Sequence, residues 1–365
     1  MTSLFDPITL RGLTVRNRIW LPPMCMYQAK DGVPNDWHMV HYGARAAGGF
    51  GLLIAEATGV VPEGRITPAC CGMWNDTQGN AWARIVEFVH ERGAAMAVQL
   101  NHAGRKASTW WDFSGHPGGS VPIEDGGWQT VGPSAIAYPG YEPPRELTVT
   151  QIHSIVAAFA DAAHRADDAG FDAIELHSAH GYLLFQFLSP LSNIRADEYG
   201  GGFVGRTRLL LEVCDAVRAV WPEHKPLIVR ISATEWLDYG WSLDDTLALV
   251  PLLAAHGVDF IDVSSGGNVP GASIPIGPGY QVPLADSVRQ VPGVNGGRGL
   301  PVSAVGLITD PHEAQRVVEE HSADVVEIGR AALRQPYWPL WAAHELGVDP
   351  ASITEASYRR GEYPA

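Results

Sequence analysis

The stretch LIVRISATEWLDYGWSLDDTLALVPLLAAHGVDFIDVS, residues 227–264, holds a complete strand–helix–strand unit. Leu227–Ser232 and Phe260–Ser264 are short apolar runs of the kind that form strands buried on both faces. Between them, Ser242 precedes a run of helical period over Leu243–His256, and Gly257 follows it, as helix-capping residues do. Continuously apolar strands joined by an amphipathic helix predict a parallel sheet.

The same unit recurs along the whole chain. The other predicted strands are Ile19–Met24, Phe50–Thr58, Ala94–Leu100, Phe171–His177, Pro301–Gly306 and Asp324–Gly329. The other predicted helices are Asp36–Ala47, Thr77–Arg92, Thr150–Ala169, Arg206–Val220, Pro311–Glu320 and Ala331–Leu346, and the sixth connection shows no clear helix. Eight strand–helix repeats predict a (β/α)8 TIM barrel in a single domain over residues 1–365.

Two connections are much longer than the rest. Residues 102–147 and Gly266–Gly299 are rich in glycine and proline, and both follow strands. In a barrel they would lie at the carboxyl-end face, where active sites form, and loops of this length usually act as lids or binding loops. We therefore expect residues 102–147 to cap the site, although a mere insertion is the alternative.

Composition excludes several classes of protein. The chain has 25 basic and 40 acidic residues and a net charge of −15, which opposes binding to nucleic acid or to an anionic membrane. Its four cysteines form no CxxC pair, which argues against a disulfide framework and a structural zinc site. With neither a long apolar span nor an export signal, the sequence predicts a soluble cytoplasmic protein.

Residues that follow barrel strands point into the catalytic mouth, and position therefore selects the candidate site. The selected residues, in chain order, are Pro23, Met24, Cys25, Met26, Tyr27, Ala57, Thr58, Gln99, Asn101, His102, His177, His180, Tyr182, Arg230, Ser264, Ser265, Val305, Gly306, Gly329 and Arg330. The loops after strands seven and eight commonly bind phosphate, so Gly306, Gly329 and Arg330 predict an anion site. Two turn glycines beside a surface arginine are the alternative.

The histidines allow several interpretations. His177 and His180 suit packing, a pair of hydrogen-bond donors, or a metal site completed by Glu175. Tyr182 is either a packing aromatic or a general acid. Cys25 is either a small buried apolar residue or a nucleophile paired with histidine.

Two further polar residues end apolar strands. Arg230 requires a ligand or an acidic neighbour, because an unpaired buried guanidinium is too costly. The amide of Gln99 offers a donor and an acceptor to a heteroaromatic ring.

Several sequence motifs occur along the chain from residue 4 onward: LFDP (4–7), NRI (17–19), PPMCMY (22–27), QLNHAGR (99–105), ELHSAHGY (175–182) and QFLSP (186–190), with Asn193, Arg195, Asp197 and the YGG of 199–201. Through these motifs the chain resembles, from residue 4 to the C-terminus, the old yellow enzyme family of flavin-dependent ene-reductases. Cys25 with Tyr27 is similar to the bacterial thermophilic-like subgroup that includes xenobiotic reductases.

This resemblance implies a noncovalent FMN, reduced by NADPH or NADH, and an activated alkene such as an enone or a nitroalkene as the second substrate. It assigns FMN contacts to Pro23, Met24, Cys25, Ala57, Gln99, Arg230, Val305, Gly306, Gly329 and Arg330. It also implies that His177 and His180 bind the carbonyl or nitro oxygen, Tyr182 protonates the α-carbon, Tyr27 contacts the substrate, and Cys25 tunes the flavin.

Some positions depart from the family pattern. Val204-Gly205-Arg206 replaces a Glu-Asn-Arg, and Val305 replaces a large aromatic residue of some relatives. The tail, residues 347–365, contains Arg360, which the resemblance places in a neighbouring subunit's site within a homodimer or homotetramer; a solvated tail arginine is the alternative. Two other functions stay open on the sequence alone: a metal-dependent hydrolase or aldolase using His177 and His180, and a flavin-binding sensor without enone turnover.

Overall fold

A computed structural model describes residues 2–293 and 299–361. Eight parallel strands form a closed barrel, in which each strand pairs with the next along the chain and the last pairs with the first through Val326 and Ile19. The strands are β1 (Ile19–Leu21), β2 (Leu52–Gly59), β3 (Ala95–Asn101), β4 (Ala173–Ser178), β5 (Leu227–Ser232), β6 (Phe260–Ser264), β7 (Val302–Ala304) and β8 (Val325–Glu327). The prediction of a (β/α)8 barrel is confirmed.

Helices surround the barrel and connect its strands. They are α1 (Asp36–Ala47), α2 (Asp76–Glu91), α3 (Val149–Asp168), α4 (Leu183–Leu188), α5 (Phe203–Val220), α6 (Leu243–Ala255), α7 (Val282–Arg289), α8 (Pro311–Glu319), α9 (Arg330–Arg334) and α10 (Trp338–Glu345). The predicted caps explain where two of them begin: Ser242 accepts from the backbone of Asp245 at α6, and Thr148 accepts from that of Gln151 at α3.

Apolar packing closes the amino-end of the barrel. Trp20 and Phe260 meet inside it with ring centroids 4.8 Å apart, and both belong to a buried cluster with residues of the other strands. An antiparallel hairpin, Ile8–Leu10 with Leu13–Val15, packs into the same cluster. The polar ends of the strands therefore lie at the opposite, carboxyl-end face. This hairpin is not among the predicted elements.

Several predicted boundaries are wrong. Strand β1 ends at Leu21 instead of Met24, and β7 and β8 are each about three residues long instead of six. The predicted helix Ala331–Leu346 is two helices, because Pro336 has no N–H to continue the first one. The sixth connection contains α7, and Asp310 caps α8. Part of the predicted loop Gly266–Gly299, residues 294–298, lies outside the described residues, as do the last four residues of the tail.

The substituted Val204-Gly205-Arg206 lies in the first turn of α5, which starts at Phe203, three residues before the predicted start. Its Arg206 Nε donates to the backbone carbonyl of Leu188 at 2.8 Å. In the part of the chain that the structure describes, no helix is both long enough and apolar enough to span a bilayer.

Candidate active site

Three of the predicted residues meet at the end of β4. The His177 ring lies 5.3 Å from that of His180 and 4.9 Å from that of Tyr182, in edge-on contacts. His180 has a left-handed backbone with φ of +57°, a conformation that costs a residue with a Cβ about 1 kcal/mol or more. Its N–H donates to Ser232 Oγ at 2.9 Å, and a Cβ on the neighbouring Gly267 would lie only 2.7 Å from His180 Cα. This close packing holds the strained turn.

The protonation states follow from burial. Burial lowers the pKa of His177 and His180 well below the usual value, and the nearby cations Arg230 and Lys106 lower it further. Both rings are therefore neutral at neutral pH. Burial raises the pKa of the Tyr182 phenol well above its usual value, so the phenol keeps its proton. Within the described residues, His177 Nδ1 is buried with no hydrogen-bond partner, while His180 Nε2 contacts Ser264 Oγ at 2.7 Å.

Lys106 is a site residue that sequence reasoning missed. It comes from the long segment 102–147, and its Nζ donates to the carbonyls of His180 and Gly267 at 2.8 Å each. The same ammonium lies 4.9 Å from the ring centre of Tyr182. Burial, and then repulsion from Arg105, lowers the pKa of Lys106 to about 8. A lysine in an irregular loop carries no periodic signal that could have selected it.

The loop after β1 forms the opposite wall. Cys25 packs with Ala57, Cys70 and Tyr182. A hydrogen bond with Cys70, burial and nearby Glu56 raise the pKa of Cys25 well above its usual value. Its sulfur is therefore a thiol at neutral pH, which opposes the nucleophile interpretation.

The same loop meets the segment 102–147. The N–H of Met26 donates to Glu56 Oε2 at 3.1 Å, which fixes the loop. Tyr27, with φ of +53°, lies 6.3 Å from Trp111 and 5.9 Å from Phe113, measured between ring centres. Residues 102–147 therefore contribute aromatic side chains to the mouth, and the sequence had not singled these out.

Arg230 has the acidic neighbour that its burial requires. Its Nε lies 2.8 Å from Asp262 Oδ2, and its Nη2 lies 4.0 Å from Glu327 Oε2. Burial alone would lower the pKa of Arg230, but attraction to Asp262, Glu327 and Glu175 outweighs it and raises that pKa. Gln99 Nε2 donates to Glu175 Oε1 at 2.7 Å, so this amide faces the same group of carboxylates.

A cavity of about 290 Å³ opens beside Arg230 at the ends of β5 to β8. Its lining includes the predicted residues Arg230, Ser264, Val305, Gly306, Gly329 and Arg330, together with Tyr280, Gln281, Glu327 and Arg334. Gly306 has φ of +125°, and a Cβ there would lie 3.0 Å from Tyr280. A Cβ at Gly329 would contact Pro22 and Met24. Glycines that leave room for close approach, beside three arginines, suit a flat ligand bearing a phosphate.

Arg360 is apart from the other predicted residues. It is exposed in the turn Ala356–Gly361 and lines a separate groove of about 920 Å³ against α10, with Tyr337 and Leu340. Within one chain the structure does not bring it to the mouth.

Two clusters of three potential metal ligands occur among residues 2–293 and 299–361, namely His38 with Glu56 and Cys71, and Glu175 with Asp262 and Glu327. Neither includes His177 or His180. The hypothesis of a metal held by that pair therefore gains no third ligand, because Glu175 points instead toward Asp262 and Gln99.

Fold and site together define a TIM-barrel enzyme with an arginine-lined cavity beside a neutral histidine pair and a phenol. The family profile of NADH:flavin oxidoreductases and NADH oxidases matches residues 3–348. The chain is 48% identical over 350 residues to an NADPH dehydrogenase of Geobacillus thermodenitrificans, covering 95% of both chains. It is 44% identical to an NADH:flavin oxidoreductase of Gibberella zeae, over 95% of this chain and 87% of that one.

Solved structures agree. The old yellow enzyme homologue from Zymomonas mobilis superposes with a TM-score of 0.78 at 28% identity, covering 100% of both chains. Morphinone reductase in complex with tetrahydroNAD superposes with a TM-score of 0.77 at 28% identity, covering 100% of this chain and 98% of that one.

The chain belongs to the NADH:flavin oxidoreductase / NADH oxidase family, and the resemblance to old yellow enzyme is confirmed. It is an NAD(P)H-dependent flavin oxidoreductase with FMN as its cofactor. The predictions of enzyme class and cofactor are thereby confirmed.

Proposed function

We propose that this enzyme reduces activated C=C bonds, such as those of enones and nitroalkenes, in two separate half-reactions of a ping-pong cycle. One observation carries the proposal: the ring of His177 contacts both the neutral His180 and the protonated Tyr182 phenol, and His180 contacts Ser264 in the lining of the arginine-lined cavity. The histidines can donate hydrogen bonds to the oxygen of the substrate's electron-withdrawing group, and the phenol can donate a proton to a substrate carbon.

FMN would lie in the cavity at the ends of β5 to β8. Gly306, Gly329 and Arg330 would hold its phosphate, while Arg230 and Gln99 would contact the ring, along with backbone or side-chain atoms of Pro23, Met24, Ala57 and Val305. When bound, FMN supplies hydride transfer, first from NAD(P)H and then to the alkene.

The histidine pair would bind the substrate oxygen. Within residues 2–293 and 299–361, His177 Nδ1 is buried without a hydrogen-bond partner, and a ligand oxygen would accept the hydrogen of the tautomer protonated at Nδ1. Withdrawal of electrons through this oxygen leaves the β-carbon electron-poor. Burial keeps the Tyr182 phenol protonated, and its O–H would protonate the α-carbon.

Other residues would shape the site. Cys25 would contact the flavin and substrate as a thiol and so influence the flavin's potential, and Tyr27 would pack against the substrate beside Trp111. Val305, small for its position, would leave room for larger alkenes. Residues 102–147 would cap the mouth of a single flavin-binding domain over the whole chain.

The tail would complete the site of a neighbouring copy. Arg360 is exposed, and the residues that line its groove do not include any that line the cavity beside Arg230, which supports a role in trans within a homodimer or homotetramer. The four cysteines are free thiols, which fits a reducing cytoplasm.

Anaerobic absorption spectroscopy of the purified protein tests the proposal. We expect flavin bands that bleach on addition of NADPH or NADH and return on addition of 2-cyclohexenone. Bands that bleach and do not return with any enone or nitroalkene would identify a flavoprotein without alkene turnover, and would overturn the proposed function while leaving the family assignment intact.

A further inference from the structure

Three acidic side chains and one cation share the interior of the barrel below the cavity. Glu175, Asp262 and Glu327 come from β4, β6 and β8, are fully buried, and have carboxylate oxygens within 4.8 Å of one another. Arg230 from β5 contacts Asp262 at 2.8 Å and Glu327 at 4.0 Å. If all were ionised, the group would carry three negative charges against one positive charge.

The hydrogen-bond donors around the cluster are too few for three carboxylates. Gln99 Nε2 donates to Glu175 Oε1, and the Ser303 hydroxyl donates to Asp262 Oδ1 at 3.0 Å. A hydroxyl group has one hydrogen and donates one strong hydrogen bond, and Ser303 donates its hydrogen to Asp262. Among the described residues, Glu175 Oε2, Asp262 Oδ2 and both oxygens of Glu327 then lack a hydrogen-bond donor, but Asp262 Oδ2 alone has a cation in direct contact, Arg230 Nε at 2.8 Å. Buried oxygens in this state are satisfied when the carboxyl itself carries a proton.

Charge balance gives the number of protons. Three acids minus one arginine leave two uncompensated charges, and two protons neutralise them. Asp262, in direct contact with Arg230, is the carboxyl that stays ionised. Burial and repulsion from Asp262 raise the pKa of Glu175 well above its usual value, and the same two causes raise that of Glu327 to about 8. Glu327 therefore exchanges its proton first as the pH rises.

Glu327 also borders the cavity proposed above to hold FMN, and the inference rests on that placement. It lines that cavity together with Arg230, and the other charged groups lining it are Arg330 and Arg334. Among the described residues, the other titratable neighbours are His177 and His180 at the end of β4, which are neutral, and Tyr280 in the cavity lining, whose phenol pKa is raised by burial. A charge that changes inside the cavity therefore acts on Glu327 at short range, through a medium of low dielectric.

We propose that the Glu175–Asp262–Glu327 cluster is a proton-binding site coupled to the charge on FMN, with Glu327 as the carboxyl that gains and loses the proton. Negative charge gained by FMN attracts the Arg230 cation, and the charge of Arg230 then stabilises the Glu327 anion less than before. The carboxylate of Glu327 then takes one proton from solvent to form an O–H bond, while the electrons come from NAD(P)H. Oxidation reverses both changes.

Infrared difference titration of the FMN-free protein tests the proton site without any turnover. The titration runs from about pH 6 to about pH 10, a range that spans the raised pKa of Glu327. Over this range the wild type should lose the C=O band of one protonated carboxylic acid. Glu327→Gln should lack that titrating band, and the exposed Glu320→Gln should retain it. A wild type with no such band in this range overturns the proposal, whatever the behaviour of the variants.

Proton uptake on reduction tests the coupling. FMN-loaded protein in weak buffer with a pH-indicator dye is reduced anaerobically by NADPH. Near pH 8, the wild type and Glu320→Gln should take up more protons per FMN reduced than Glu327→Gln does, with the difference vanishing near pH 6, where Glu327 is already protonated. Equal uptake by wild type and Glu327→Gln near pH 8 refutes the coupling. This readout is independent of any alkene and so of the proposed function.

Discussion

The ammonium of Lys106 donates a hydrogen bond to the backbone carbonyl of His180 at 2.8 Å, and so joins the segment 102–147 to the strained turn that carries the second histidine. This bond has a counterpart to Gly267 at the same distance, which ties the loop after β6 to the same ammonium. Three chain segments that are far apart in sequence therefore meet at one side chain, next to the Tyr182 ring.

Lys106→Met should weaken the binding of phenolic ligands to the FMN-loaded protein. Without the ammonium, two buried carbonyls lose their donor and the left-handed turn at His180 is free to relax, at a cost of about 1–3 kcal/mol in ligand affinity. Spectral titration with a phenol gives the dissociation constant, and Arg84→Met, an exposed cation on α2, is the control. An unchanged constant would show that the Ser232 hydrogen bond and the packing of Gly267 hold the turn without Lys106.

Tyr182→Phe should slow reoxidation of the reduced protein by an enone by about 10²–10⁴-fold, because the phenol is the proposed proton source. Reduction by NADPH should change little, since that step requires no proton from the phenol. Stopped-flow absorbance separates the two half-reactions. If reoxidation keeps its wild-type rate, water or another group supplies the proton, and Tyr182 is only a packing residue.

The barrel and its mouth could be read from the sequence, because both depend on patterns that repeat. Leu227–Ser232 is apolar since both of its faces are buried, and Arg230 could be noticed there because it breaks that pattern. Lys106, Trp111 and the short helix α7 could not be found in the same way. They lie in irregular connections, where tertiary contacts such as that of Lys106 with His180 decide the conformation and leave no periodic signal.

Acid should destabilise the fold through its buried neutral histidines. The pKa of His177 and that of His180 are depressed in the folded state, so below pH 6.5 the unfolded chain binds protons that the folded chain does not. Stability is then lost progressively as the pH falls below about 6.5, on the order of 1 kcal/mol per pH unit for each ring.

Burial likewise lowers the pKa of His102, to about 4, so this ring adds to the loss. Urea unfolding of wild type and His180→Asn at pH 7.5 and pH 5.5 measures the effect. The variant should lose less stability between the two pH values than the wild type does. An equal loss would mean that His180 is protonated in the folded protein.

Replacing one member of the Arg230–Asp262 ion pair should lower the free energy of unfolding more than replacing both members. Arg230→Met leaves Asp262 buried without its cation, and one-sided loss of such a pair destabilises proteins by about 3–5 kcal/mol. The double variant Arg230→Met/Asp262→Asn should recover much of this loss, since no unpaired charge then remains. Denaturant unfolding of the FMN-free proteins gives the three free energies. Additive losses in the double variant would indicate that the two side chains contribute independently.

Arg360→Ala should change the affinity for NADPH or for the alkene while FMN stays bound. Arg360 is exposed on its own chain, in a turn that also contains Arg359, so an effect on the site requires that the tail reach a neighbouring copy. Arg359→Ala is the matched control, because it removes the same charge one residue away. Steady-state KM values, flavin content and light scattering together separate a lost contact from a lost oligomer. If both variants retain wild-type KM values in an intact oligomer, Arg360 is a solvated tail residue and each site is complete within one chain.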